Sequence, residues 1–595
     1  MGRGVVTAMS LLSIITGASC PRVAIVLLVS TLSVIVDAVL RSMDYRDLPV
    51  SRSFTGIMKL LGPFTLVFLQ LCALFYFITL LPGLLRTIAF LFSVFLIIVQ
   101  LSYWRTLSQF MTGTDLYLSV TVSGDHRIEA ILSFFKPLIL VYALPYLLIL
   151  SLLLFVPPVS DAGMTVALSI LLLLYLFVSN YVLFRFVPER SFHLNPLTSF
   201  LRAIVQCVFE SRQRYQGIRD SLPAFQVSQR PLDSVIYVID ESVRGSNLSL
   251  NGYPRATTPF LQSLETEGRL KNLGICVAAS SFTHISNAYL LSGHNAFPDT
   301  DFRTRKNPTI FDYAKTMGYE TIYIDINRVY LASLKKAAGD GPVRSLDSWM
   351  NEKSFEEQQI DLEVTKDSGV ARILSAILNT GGGYFIVVNK KGLHFQYCNN
   401  YPATTASMIW TPVMKALESI DPGPAGREKL VNSYDNGIRY QVDEFFRVLV
   451  SGTTNQNYVV LYTSDHGQTL SEHGQRYTHM KADAEIVDVP GFLVASEQYA
   501  RQGLLDDIKP GIRVSHLNNF ATLLDLMDVP PLLRVRSYEK SIFALTAEDN
   551  RERWYMSGSL HGSGDYTLHS IPTPPANGWG HSLFVEAVSG SSNER

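Results

Sequence analysis

An apolar run rich in β-branched residues, Val459-Val460-Leu461-Tyr462-Thr463-Ser464-Asp465-His466-Gly467, ends in a carboxylate, an imidazole and a glycine. Aspartate beside histidine can offer one oxygen and one nitrogen to the same metal ion, and zinc accepts both. The glycine would let the backbone turn sharply there. By itself Asp-His-Gly reads equally well as a loop with a capping aspartate and a surface histidine. A second apolar run, Val235-Ile236-Tyr237-Val238-Ile239, ends in Asp240-Glu241-Ser242. Brought together, Glu241, Asp465 and His466 would make three ligands with a fourth position open, the arrangement of a catalytic zinc. Alone, Glu241 reads as charge that complements a helix N-terminus. The third chemical stretch is Ser280-Ser281-Phe282-Thr283-His284, where hydroxyls crowd ahead of a helix-like segment. Such a hydroxyl either caps the helix or serves as a nucleophile whose negative charge zinc and the helix dipole stabilise. A site of the second kind suits phosphoryl transfer, because helix N-termini favour phosphate oxygens.

The elements that must position these groups follow from the pattern beyond about residue 231. Strands are expected at 235–239, 321–326 and 384–388, a helix from 259 to 265, and a helix over 435–450 that leads into the strand ending at Asp465. Alternation of this kind implies a mostly parallel sheet with helices on both faces. Open sheets of that class bind ligands at their carboxyl edge, where Glu241 and Asp465 would then meet. The expected domain spans 231–575, with a Gly- and Ser-rich tail at 576–595.

Ahead of it the composition changes. The 595 residues are 48% hydrophobic and only 17% charged, and the apolar excess lies in the first third. Residues 1–187 contain about five stretches long enough to cross a bilayer, near 22–40, 60–81, 86–104, 137–156 and 164–187. A linker at 188–230 follows, in which 200–205 reads as an amphipathic helix at a membrane surface or as a plain linker helix. Net charge is −1, which excludes a global case for nucleic-acid binding. Five cysteines, two of them (Cys276 and Cys398) in the C-terminal domain, build neither a disulfide framework nor a cysteine zinc motif. Arg41, Arg46, Arg52 and Lys59 follow the first span, and Arg105, Arg127 and Lys136 the third. The positive-inside rule alone would place those loops, and with five spans the C-terminal domain, in the cytoplasm.

The order Asp240-Glu241-Ser242-Val243-Arg244, Leu248-Ser249-Leu250-Asn251-Gly252-Tyr253-Pro254-Arg255-Ala256-Thr257-Thr258-Pro259, Tyr434-Asp435-Asn436 and Ser464-Asp465-His466-Gly467 resembles the signature of bacterial phosphoethanolamine transferases. These are inner-membrane enzymes of the alkaline-phosphatase and sulfatase superfamily. The resemblance implies five transmembrane helices, a sulfatase-like α/β domain in the periplasm, and one zinc ion or two. It implies phosphatidylethanolamine as donor and an envelope glycolipid or glycan, lipopolysaccharide core or lipid A, as acceptor. Zinc ligands are implied at Glu241, Asp465 and His466, with the nucleophilic threonine as the fourth. Thr283 fits that role because Phe282 precedes it, as in members that modify lipopolysaccharide core; aligned on the lipid A enzymes, Ser281 takes it, and Ser280 is the remaining hydroxyl. His394 and His479 are implied as substrate-site histidines that hold a second zinc or the transferred phosphate and protonate the leaving group. His473 is a nearby spare. Glu129 and Asn327 are implied contacts for the substrate. The chain departs from the lipid A enzymes in lacking cysteines for their disulfides, and neither Cys276 nor Cys398 lies in the Cys-x-Pro-x-Arg motif of a sulfatase. Competing readings are transfer of phosphoglycerol and a non-catalytic membrane scaffold of the same fold.

Overall fold

The computed structural model describes residues 21–42, 54–107, 109–113, 115–116, 137–157, 162–186, 195–212, 219–224, 230, 232–326, 345–351, 366–404, 406–414, 418, 423–472, 478–479, 481–534, 538–549, 552–558, 560 and 566–571. The chain divides into two compact units, Met1–Gln213 and Arg214–Arg595.

The first unit is helical: α1 (Pro21–Leu40), α2 (Phe54–Leu80), α3 (Gly83–Leu107), α4 (Leu138–Ser151), α5 (Ala162–Phe186) and α6 (Pro196–Arg212). Five helical stretches, Pro21–Leu40, Leu61–Leu80, Gly83–Thr106, Leu138–Phe155 and Gly163–Leu183, are long and apolar enough to cross a membrane, within a few residues of the expected spans. Their outward faces carry large apolar side chains such as Val39, Leu84, Val141 and Leu171. Lipid tails solvate such a surface at no cost, whereas water does not. Inside, Val29, Leu71, Phe75, Ile97 and Leu150 pack together. Arg41 is not a free loop charge: its guanidinium grips Asp37 with contacts of 3.0 and 2.5 Å, and the Tyr146 hydroxyl donates to the same carboxylate at 3.3 Å. Of the basic loop residues named above, Arg46, Arg52, Arg127 and Lys136 lie outside the described residues.

The second unit is built on a seven-stranded sheet of order β2-β7-β6-β1-β5-β3-β4. Its strands are β1 (Ser234–Asp240), β2 (Leu270–Val277), β3 (Glu320–Asp325), β4 (Ser348–Asn351), β5 (Tyr384–Asn389), β6 (Tyr458–Ser464) and β7 (Asp488–Ala495). β6, β1, β5, β3 and β4 run parallel, and β7 is antiparallel to both β6 and β2. Two reversals restore the direction, so β2 ends at the same edge as β1 and β6. The sheet is therefore the expected mostly parallel one, with an antiparallel strand that the apolar pattern did not single out. β1 is buried along its whole length because each face meets a core. Val235, Tyr237 and Ile239 enter one hydrophobic cluster and Ile236 and Val238 the other, as a two-residue side-chain period requires. Ile236→Ala would cost about 2–5 kcal/mol through lost burial and the cavity left behind.

Helices α7 (Pro259–Thr266), α8 (Thr283–Ser292), α9 (Lys366–Thr380), α10 (Gly423–Ile438) and α11 (His516–Leu526) surround the sheet. A hairpin of β8 (Arg553–Gly558) and β9 (Tyr566–Ile571) forms a second, two-stranded sheet that packs Tyr555 and Ile571 into the same core and donates from Met556 N to Ala279 O at 2.9 Å. The helix expected over 435–450 begins earlier, at Gly423, and is interrupted by a π-helical segment, Arg439–Glu444, before Phe445–Gly452 completes it. A π-turn leaves carbonyls outside the α-helical ladder. One of them, on Gln441, accepts from the Lys390 ammonium at 2.5 Å.

Candidate active site

Two parallel neighbours end level with each other. Ile239 pairs with Thr463 and Asp240 with Ser464, so the next residues, Glu241 and Asp465, leave the sheet side by side. Asp240 is the tie beneath them. Its backbone carbonyl accepts from the Asp465 amide at 2.9 Å, and its carboxylate accepts from the Glu241 amide at 2.9 Å, the Tyr462 hydroxyl at 2.8 Å and the Lys390 ammonium at 2.5 Å. Burial pushes the Asp240 carboxyl up to about 6, even against the Lys390 charge beside it.

Above this base, ligand atoms of Glu241, Asp465 and His466 lie within 4.8 Å of one another, and all three residues are buried. His466 Nδ1 faces its neighbour's carbonyl, Gly467 O, at 2.7 Å. That contact assigns the proton to Nδ1 and leaves the Nε2 lone pair directed inward. Nε2 stands 3.4 Å from Asp465 Oδ2, 3.5 Å from Glu241 Oε1 and 3.2 Å from Thr283 Oγ1. Asp465 Oδ2 is buried with no hydrogen-bond partner among the described residues. Burial, and then the neighbouring Glu241 charge, push the Asp465 carboxyl well above its usual range. Burial also favours the charge-free Glu241, but the His466 and His394 imidazoles and the Ser242 hydroxyl outweigh it and hold that carboxyl down at about 2. Burial pushes His466 itself down, toward the neutral imidazole. Carboxylate oxygens and an imidazole lone pair converging on one point repel each other unless a cation sits among them. The donor set fits a divalent metal ion, with oxygen and nitrogen ligands.

The hydroxyl arrives from the third strand. Beyond Val277 at the end of β2 the chain is pinned residue by residue: Val277 N to Val514 O at 3.2 Å, Ala278 N to Val487 O at 2.9 Å, and Ala279 N to His516 Nδ1 at 3.1 Å. It then enters α8, whose N-cap residue is Phe282 in extended conformation without a side-chain cap bond. Thr283 is thus the first helical residue and not the cap. Its Oγ1 lies 3.5 Å from Glu241 Oε2 besides its approach to His466. Ser281 Oγ is fully buried and has no hydrogen-bond partner among the described residues. The Ser280 hydroxyl accepts from the Phe282 amide at 3.3 Å.

His479 stacks on His466 with ring centroids 4.6 Å apart, and its Nδ1 contacts the Thr478 hydroxyl at 2.9 Å. Burial, then the adjacent His466, push His479 well below its usual range. His394 Nδ1 contacts Phe395 O at 2.9 Å, and its ring is close enough to Glu241 to depress that carboxyl. The structure therefore brings together Thr283, Glu241, Asp465, His466, His394 and His479. Glu129, Asn327 and His473 fall outside the described residues.

Gly467 does something other than turn the chain. It lies outside the left-handed region, and a Cβ there would come within 2.3 Å of Glu485 O and 2.5 Å of Asp488 O. The backbone conformation that disfavours side chains belongs instead to Ser242, at φ 62°, whose hydroxyl donates to Glu241 Oε1 at 2.7 Å. Residue types foretold neither role. The Asn-Gly-Tyr-Pro-Arg stretch also finds its purpose: the Tyr253 hydroxyl and Arg255 both bind the buried Asp435, at 3.0 and 2.8 Å. Tyr434 donates to Ser242 O at 2.7 Å and accepts from Arg244 N at 2.8 Å. These signature residues brace the turn that carries Glu241. Lys390 and His516 escaped the sequence, since neither sits in a chemically suggestive local pattern, and Ser242 was visible beside Glu241 without a role of its own.

Residues 233–529 match the family model described as Sulfatase. The chain is 24% identical over 279 residues to the Kdo(2)-lipid A phosphoethanolamine 7''-transferase of Escherichia coli (strain K12), a match that covers 46% of each protein. The chain thus spans about half the length of that relative. It is 26% identical over 391 residues to phosphoethanolamine transferase EptA of the same organism, covering 62% of this chain and 68% of that one. In three dimensions it shares its fold with the integral membrane protein lipooligosaccharide phosphoethanolamine transferase A of Neisseria meningitidis, with a TM-score of 0.61 at 19% identity over 84% of this chain and 95% of that one.

Proposed function

The chain belongs to the phosphoethanolamine transferase family, a membrane-anchored branch of the sulfatase superfamily, and from that premise we propose that it moves phosphoethanolamine from phosphatidylethanolamine to an envelope glycolipid or glycan. Glu241, Asp465 and His466 would hold zinc, with Thr283 as the fourth group. The observation that carries this reading is the Thr283 hydroxyl at 3.2 Å from the inward lone pair of His466, beside two buried carboxylates. Zinc bound there supplies positive charge that eases deprotonation of a nearby hydroxyl and offsets charge on phosphoryl oxygens. Thr283 Oγ1 attacks the donor phosphorus and gives its proton to His394 or His479, the bond from phosphorus to the diacylglycerol oxygen breaks, and that oxygen takes the proton from the histidine, which returns to its neutral form. The phosphoethanolamine ester on Thr283 is then attacked by an acceptor oxygen, which releases the threonine. α8 aims its N-terminal amides at the reacting group, where developing negative charge is favoured. Glu129 and Asn327 contact the ethanolamine side of the substrate. Lipopolysaccharide core or lipid A is the proposed acceptor, in keeping with the name of the first relative above.

The catalytic domain lies in the periplasm, across a bacterial inner membrane. Supporting this against the loop charges, Arg41 is buried in an ion pair and contributes little to the first loop, and large domains translocate regardless of local charge bias. A reporter fused after Arg595 that is active only in the cytoplasm would overturn that placement. The activity is tested by incubating the purified protein with labelled phosphatidylethanolamine and, separately, phosphatidylglycerol, then locating the adduct by mass spectrometry. A phosphoethanolamine adduct on Thr283 that disappears in Thr283→Ala is expected. An adduct in Thr283→Ala but not in Ser281→Ala moves the nucleophile to Ser281, and a phosphoglycerol adduct favours the related glycerol transfer.

A further inference from the structure

We propose that His516 is a positioning residue that holds the nucleophile segment in register with the metal-ligand strand; the proposal rests on the reading of Thr283 and Asp465 given above. His516 opens α11 and is fully buried. Its ring touches two other elements. Nδ1 lies 3.1 Å from the backbone N–H of Ala279, and Nε2 lies 2.8 Å from the carbonyl of Ser464. Ala279 stands four residues before Thr283, and Ser464 immediately precedes Asp465.

The two contacts fix the tautomer. An amide can only donate and a carbonyl can only accept, so Nδ1 carries the lone pair and Nε2 the proton. Neutral imidazole is the one side-chain group that is rigid, donates at one nitrogen and accepts at the other across this spacing. Burial keeps it neutral, pushing it down to about 3. The ring itself is held from behind. The Ser515 hydroxyl and the Asn518 amide form a capping box at the start of α11, and Asn518 also donates to Lys540 O at 2.9 Å. β2 and β6 are not neighbours in the sheet, since β7 lies between them. No ladder hydrogen bond therefore joins their ends directly, and the two ladders through β7 stop at Val277 and Thr463, short of the residues that carry the chemistry. His516 spans that gap, and it is the only side chain among the described contacts that joins Ala279 to Ser464.

The consequence is geometric. Without the ring, the Thr283 hydroxyl and the Asp465 carboxylate are positioned by separate loops, and supporting contacts of this kind carry about 10- to 100-fold in activity. The test uses the full-length protein in detergent with two variants that each keep half the bridge. His516→Asn offers an oxygen near Nδ1 and keeps the Ala279 contact; His516→Gln offers an amide N–H near Nε2 and keeps the Ser464 contact. Thr522→Val on the same helix loses an acceptor for the Ile542 amide, 3.0 Å away, and a donor to the Asn518 carbonyl at 2.8 Å, while it leaves both ring contacts of His516 and the Asn518 side chain in place, and serves as the packing control.

Expected are a kcat lowered about 10- to 100-fold in both His516 variants with KM little changed, and unaltered kcat in Thr522→Val. In amide hydrogen exchange, His516→Gln should lose protection at Ala279 through Thr283, while His516→Asn and Thr522→Val should keep it. The idea is overturned by His516 variants with wild-type kcat, or by exchange at 279–283 that rises no more in His516→Gln than in Thr522→Val. If the wild type proves to have no transferase activity, the proposed function falls, and the exchange comparison still decides for or against the bridge.

Discussion

The two units both bury carboxylates, and they neutralise them differently. In the helical unit, Asp37 is gripped by Arg41, four residues on and just past the end of the same helix. In the sheet unit, Asp240 is paired with the fully buried Lys390, which also lies 3.6 Å from Asp367 and over the Phe445 ring at 4.4 Å. Asp465, one strand away from Asp240, has Glu241 and a neutral imidazole as its ionisable neighbours. Where a carboxylate is structural, a cation of the chain accompanies it, because an uncompensated buried charge costs several kcal/mol. At Asp465 the ionisable neighbours are a second carboxylate and an imidazole, and the proposed function puts a metal ion in the place that Lys390 or Arg41 fills elsewhere. The difference separates a scaffold from a site more sharply than burial does, since all of these carboxylates are buried.

The largest effect should come from Asp465→Asn. Transfer activity should fall by about 10³-fold or more and bound zinc, counted by elemental analysis, should drop toward zero, as expected when a metal ligand is lost. Retained stoichiometric zinc would remove Asp465 from the site. Next in size, Lys390→Met and Arg41→Met should each cost about 3–5 kcal/mol, because each strands a buried carboxylate. Thermal unfolding in detergent reads this, and two variants as stable as wild type would erase the contrast between paired and unpaired carboxylates. Third, Asp465→Asn should stabilise the chelator-treated protein by about 1–3 kcal/mol, since without the metal burial forces this carboxyl to take up a proton that the unfolded chain does not bind at neutral pH, a cost the amide does not carry. The same chelator should lower the unfolding temperature of the wild type and leave the variant unmoved. A variant less stable than metal-free wild type would show that Asp465 has a structural partner after all.

The smallest effect concerns a buried base. His569 stacks on Tyr555 at 4.8 Å and contacts the Ser557 hydroxyl at 3.0 Å, and burial pushes it down to about 4. A lowered folded value means that the unfolded chain takes up the proton first. Stability from this group is fully present above the ordinary histidine value of about 6.5 and is lost as pH falls through the window from there to about 4, by about 3.4 kcal/mol for a fully shielded ring and about 2 kcal/mol once solvent screening of this partly exposed one is allowed for. His569→Gln should flatten that part of the stability profile measured on metal-free protein, and an unchanged slope would reassign it to another histidine.

Much of this was legible in residue order. Apolar runs of about twenty residues have one stable solution in a bilayer, so the five spans could be read without coordinates. β-branched runs ending in Glu241 and Asp465 specify parallel neighbours whose ends coincide, because register follows from the hydrophobic pattern. Candidate ligands and the hydroxyl cluster were visible for the same reason: chemistry needs particular side chains, and side chains are what a sequence states. Contacts between distant segments were not visible. Whether the Thr283 hydroxyl or that of Ser281 faces His466 depends on where α8 begins, and that depends on what pins 277–279. Gly467 is required by the approach of 485–488, Lys390 by a carbonyl released in a π-turn, and His516 by a gap between strands that do not touch. Each is a relation between backbone positions far apart in the chain. Local propensity carries no term for such relations, and only tertiary packing brings the partners within bonding distance.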